Sequence, residues 1–141
     1  MVDVINRNNQ VLPQRILTWF IALVWLANGL FCKVLGLVPR HEQIVARILT
    51  PTHSHYFTVF IGISEIVMAI WILSSFKTKL NAVVQIVIVA TMNTIEFILV
   101  PDLLLWGKFN SLFAFIFIIV VFINGFYFNK KTTQQASCSH F

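Results

Sequence analysis

The chain has 141 residues, of which 58% are hydrophobic and 11% charged, with ten Lys or Arg against five Asp or Glu. Its mean hydropathy is +0.84. A water-soluble domain carries roughly a quarter charged residues, so this balance excludes a cytosolic enzyme and leaves too little polar chain for a second domain.

A short segment, 1–14, precedes the first apolar run at 16–37. A helix crosses a hydrocarbon core of roughly 30 Å with about 20 apolar residues. This run is therefore long enough to span, and it exceeds the roughly 7–15 residues of a signal-peptide core. Ala27-Asn28-Gly29 only weakly resembles a cleavage site, and the apolar pattern continues past it through Leu30, Phe31 and Val34, so cleavage is not expected. The next segment, 40–49, has helical spacing: Ile44, Val45, Ile48 and Leu49 share one face. Pro39 suits a first turn, and Glu42 and Arg47 sit where the helix dipole prefers them. A short amphipathic helix is predicted here, either a plain connector in the membrane interface or a rim over a cavity. Two further runs follow at 57–76 and 80–100, joined by Lys77-Thr78-Lys79, and a fourth at 109–128. The remainder, 129–141, is polar and predicted to be a disordered tail.

Short joints make sequential helices antiparallel neighbours, so the predicted fold is all-α: an up-down bundle of four transmembrane helices. Stretches such as 113–123 are apolar all round, which excludes the alternation of a membrane β-barrel. Arg7, Arg15, Lys77, Lys79, Lys130 and Lys131 lie on the side of the N-terminus, against Lys33, Arg40, Arg47 and Lys108 on the other. Six against four predicts both termini in the cytoplasm. The basic residues are dispersed among the runs, which argues against nucleic-acid binding and for a collar attracted to anionic lipid.

Of the fifteen charged side chains (ten plus five), Lys33, Glu65 and Glu96 alone fall inside predicted spans. An ionisable group in hydrocarbon costs a few kcal/mol or more unless it is paired or wet, so these three mark a candidate site. At ~1.5 Å per residue, Lys33 and Glu96 lie ~6 Å from the outer ends of their spans and can meet at one level, with Glu65 deeper. On the third helix Asn81, Gln85, Met92 and Glu96 form one stripe, with Asn93 beside it. Thr58, Gly62, Glu65 and Ala69 line up on the second. Ala22, Trp25, Gly29, Lys33 and Gly36 do so on the first, with Asn28 adjacent. Small residues permit close approach and polar ones bond across helices, so all three stripes are expected to face inward. The fourth helix should complete the wall and meet lipid through its Phe and Ile side chains.

Two arrangements fit these residues. A buried Lys33–Glu96 pair fixes packing while Glu65 stays protonated, or the charged and amide groups surround a pocket opening outward. The candidate pocket residues are Lys33, Glu65, Glu96, Asn93, Asn28 and Gln85, with Arg40, His41 and Glu42 at its rim. In the pocket reading, Lys33 holds an anionic group, and Glu65→Ala removes activity while the helical fold stays intact. An aqueous channel is not expected, because the polar stripe fades toward the inner ends of the first two helices. His53-x-His55 is read as a pair of solvated loop histidines, and no metal site is expected. Cys32 in the first span and Cys138 in the tail lie on opposite sides, so a dithiol site is not expected either.

The stretch Trp25-Leu26-Ala27-Asn28-Gly29-Leu30-Phe31-Cys32-Lys33-Val34-Leu35-Gly36, followed by Pro39-Arg40-His41-Glu42 and the apolar face at 44–49, resembles the DoxX-like family. Glu65, Asn93 and Glu96 sit where that family tends to carry polar residues. The resemblance implies a four-helix bundle in the bacterial inner membrane. It also implies a varied set of roles: accessory subunits of membrane redox or stress-related complexes, quinone-linked ones among them, and assembly factors for other membrane proteins. The polar residues themselves leave open a small-molecule- or quinone-binding oxidoreductase in which Glu65 and Glu96 handle protons. Membrane lipid, another membrane protein or a small lipid-like ligand are the partners expected. It carries over no catalytic residue and names no cofactor.

Overall fold

The computed structural model describes the backbone of residues 2–103 and 108–128 and the side chains of 12–103 and 109–128. The tail expected to be disordered, with Cys138 and His140, lies outside the described residues, as do the side chains of Arg7 and Lys108.

Every regular element among the described residues is helical. Helix α1 (Val2–Leu26) runs directly into a π-helical segment, Ala27–Val34. Pro13 lies inside α1, where it removes one rung of the hydrogen-bond ladder without ending the helix. The π segment stops at Gly36, whose φ of +64° is a left-handed conformation open to glycine at little cost. Helix α2 (Pro39–Ile48) follows, with Pro39 in its first turn and Ile44 and Val45 buried. Helices α3 (Ser54–Ser74) and α4 (Thr78–Leu99) are joined by a tight turn in which Ser75 and Lys77 both take positive φ. After a 3-10 turn at Pro101–Leu103 comes α5 (Lys108–Phe122), which also ends in a π segment, Ile123–Tyr127.

Four segments are long and apolar enough to cross a membrane: Leu12–Val34, Ser54–Ser74, Thr78–Leu99 and Phe109–Tyr127. The architecture is the expected four-helix membrane bundle. The packing within it is uneven. The first span and its π segment lie along α3, and α4 lies along α5, whereas α3 and α4 touch little although they are consecutive. The bundle is thus two helix pairs with space between them. A small core of Ile21, Ala22, Trp25, Met68, Ala69, Ile72, Ala82 and Val121 joins the pairs in the half of the bundle nearer the Ser75–Lys77 turn. Outward faces are apolar, for example Leu23, Phe60, Ile70, Val87 and Phe115, as a lipid solvent requires. Helix α2 is tied to the turn after α4 by Arg47 Nη1, which donates to both carboxylate oxygens of Asp102 at 2.8 and 2.7 Å. That bond holds the Asp102 carboxyl below its ordinary range.

Candidate functional site

Two glycines decide where the first span meets α3. A Cβ on Gly29 would lie 2.5 Å from the Gly62 carbonyl oxygen and 2.9 Å from Glu65 Cβ. A Cβ on Gly62 would lie 2.8 Å from the Gly29 carbonyl oxygen and 2.9 Å from Lys33 Cβ. The two backbones are therefore in direct contact, and the crossing sets Lys33 beside Glu65. The Lys33 ammonium donates to Glu65 Oε1, and Asn28 Nδ2 donates to the same oxygen at 3.1 Å. Lys33 is 6% exposed and Glu65 8%. Glu65 Oε2 is buried without a partner.

This corrects the pairing expected from depth alone. Lys33 joins Glu65, not Glu96. Depth along a helix places a residue at a level, but the glycine crossing selects its neighbour at that level. Glu96 stands across a cavity of about 360 Å³ that opens between the helix pairs near the α2 end. Its carboxylate accepts no hydrogen bond among the described residues.

Asn28, Lys33, His41, Glu65, Asn93 and Glu96 all line this cavity. Asn93 is held by its Nδ2 donating to the Val89 carbonyl at 2.9 Å and by Asn110 Nδ2 donating to its Oδ1 at 3.0 Å. His41, from the first turn of α2, has a buried Nδ1 with no partner. Burial, and then the Lys33 charge, pushes its pKa down to about 4, so its ring is neutral at physiological pH. The other two rim candidates do not reach the cavity. Arg40 is half-buried, with an unpartnered Nη1. Glu42 is turned toward solvent, 3.4 Å from His55 Nδ1. The cavity's remaining wall includes the rings of Trp25, Phe113 and Phe117.

Gln85 does not line this cavity. Its Oε1 accepts from Trp25 Nε1 at 2.8 Å, and its Nε2 donates to Asn81 Oδ1. It faces a second, smaller cavity of about 240 Å³ near the Ser75–Lys77 turn. Gln85 shares a helix face with Glu96 but lies eleven residues, roughly 16 Å, below it, and the core layer at Trp25 comes between. The second cavity also contains Thr18 and Asn124, joined by Asn124 Nδ2 donating to Thr18 Oγ1 at 3.3 Å. The expected fading of the polar stripe on the first helix is incomplete, since Gln14 and Thr18 line this cavity, but the amides of Asn81, Gln85 and Asn124 come from the other helix pair. Neither Asn124 nor Asn110 is among the candidate residues of the sequence: an amide inside an apolar run is the signal that marks Asn124, whereas an Asn at a span's edge reads as interfacial.

These features define a small integral membrane protein built as a four-helix bundle with a charged cavity between its helix pairs. The chain belongs to the DoxX-like family, whose model matches residues 22–123 and so takes in the whole lining of the larger cavity. None of the curated proteins and none of the solved structures matches the chain.

Proposed function

We propose that this protein is a ligand-binding accessory subunit of a membrane redox or stress-related complex. It sits in the bacterial inner membrane with residues 1–14 and 129–141 in the cytoplasm and the larger cavity opening toward the outer side. The observation that carries this reading is Glu65: a carboxylate 8% exposed, one oxygen bound twice and the other unpartnered, beside about 360 Å³ of open space. A pair that served packing alone would be expected to satisfy all its buried acceptors, because an orphaned one is costly at low dielectric. A protein that only docked or assembled partners would need no such cavity.

A second reading, an oxidoreductase acting on a quinone or other lipid-like molecule, has its own support. A groove of about 570 Å³ between α4 and α5 shares Asn93 and Ala114 with the cavity. A head group in the cavity could pass an apolar tail through this groove to lipid, and Glu65 and Glu96 could exchange protons with the head.

Native mass spectrometry from mild detergent tests both. A small molecule retained by the wild-type chain and lost in Glu65→Gln is expected, together with a second protein if the subunit is accessory. Wild-type chain released bare, with neither ligand nor partner, overturns the proposal.

A further inference from the structure

We infer that the larger cavity selects a hydrophobic organic cation, an alkyl- or arylammonium, seated between the Glu96 carboxylate and the rings of Trp25, Phe113 and Phe117. The inference rests on the reading of that cavity as a ligand site and names the ligand's class.

Among the described residues Lys33 is the one cation on the cavity wall, and its ammonium is already bound to Glu65. His41 is neutral. Glu96 is left over: its carboxylate accepts no hydrogen bond among the described residues and feels Lys33 only as a charge at a distance. The described part of the wall thus carries one positive and two negative groups when the carboxylates are ionised. An anionic ligand would meet Glu96 and the free oxygen of Glu65 with no unengaged cation on the described wall to hold it. The inference thus differs from the expectation that Lys33 holds an anionic group.

Three aromatic rings line the same space as the carboxylates. Ring faces attract a desolvated ammonium, Trp most strongly. Val24, Ile88, Val89 and Met92 add apolar lining, beside the amides already described. They suit an apolar body, and the thioether adapts to its shape. A volume of about 360 Å³ admits a one-ring ammonium with room to spare.

The test is isothermal titration of the full chain in mild-detergent micelles, with empty micelles subtracted. Three probes of nearly equal shape are used: benzyltrimethylammonium, its neutral carbon analogue neopentylbenzene, and benzylsulfonate. The cation is expected to bind about tenfold tighter than either other probe. Glu96→Gln, which keeps the side chain's volume, is expected to remove that preference. Phe117→Leu should weaken the cation several-fold and leave the neutral probe unchanged, which keeps the assignment open to test if Glu96→Gln fails to fold. Equal or tighter binding of the neutral or anionic probe overturns the cation assignment and leaves the ligand site standing. Binding of no probe by a chain of intact helicity also overturns the assignment. The broader reading is decided separately by whether a co-purified ligand is retained.

Discussion

Lys33 is held in the bundle by one carboxylate, and that dependence changes what a substitution at Glu65 means. Removing one partner of a buried pair leaves the other charge without compensation, at a cost on the order of 3 kcal/mol. Glu65→Ala is therefore expected to lower stability by about that amount in a denaturant titration, beside the loss of activity that the pocket reading expects. The double change Lys33→Met with Glu65→Leu should recover the lost stability, since an apolar pair of similar volume often replaces a buried ion pair without loss. If the double variant also keeps a co-purified ligand, the pair serves packing and nothing more. His41 gives a second prediction at this scale. Its folded pKa of about 4 lies below the ordinary histidine value of 6.5. Between these values the unfolded chain binds a proton that the folded chain does not. Stability is thus fully present above pH 6.5 and falls as pH drops toward 4. Carboxylates titrate over part of the same range, so the check is a comparison. His41→Gln should lose less melting temperature than the wild type between pH 7 and pH 5. Parallel curves would show that His41 is not desolvated as described.

At the scale of elements, the close backbone crossings are the most exposed to change. Gly29→Ala or Gly62→Ala forces a methyl group into a carbonyl oxygen of the facing helix. Overpacking of this kind costs about 1–3 kcal/mol, and here it should also separate Lys33 from Glu65. Each variant is expected to melt earlier, and Gly62→Ala should lose co-purified ligand as well. The contact of the second π segment with α4 offers a cleaner test. A Cβ on Gly125 would overlap the Ala82 Cβ. Gly125→Ala should destabilise, and Ala82→Gly in the same chain should restore much of the loss. No rescue would mean that the crossing is set elsewhere. Much of this was legible beforehand. The stripe Thr58, Gly62, Glu65 and Ala69 on the second span is buried throughout, because spacing along a helix fixes which residues share a face. The amphipathic segment read at 40–49 forms α2 at Pro39–Ile48. The π segments were not legible. Each is a local change of ladder made to suit packing against a neighbour, and the apolar runs at 27–34 and 123–127 look like ordinary helix.

For the whole molecule, the basic residues predict which ends face the cytoplasm. In a chain with Cys32 and Cys138 replaced by Ser, single cysteines at the exposed positions His53 and Lys77 should label from opposite sides with a membrane-impermeant maleimide. His53→Cys is expected to react in intact cells, and Lys77→Cys only after permeabilisation. The reverse pattern would invert the topology and turn the larger cavity toward the cytoplasm. Read alone, the sequence puts the chain in a membrane, has it cross four times, and singles out Lys33, Glu65 and Glu96 as the groups needing explanation. These follow from hydrophobic content, run length and charge, which are properties of the chain one residue at a time. Which carboxylate Lys33 takes, why Gln85 lies in the other cavity, and which rings share the larger cavity with Glu96 depend on how the helices pack. A helical repeat gives each side chain a face and a depth. The partner it meets there depends on how closely two backbones approach, and in this bundle that distance is set by Gly29 against Gly62.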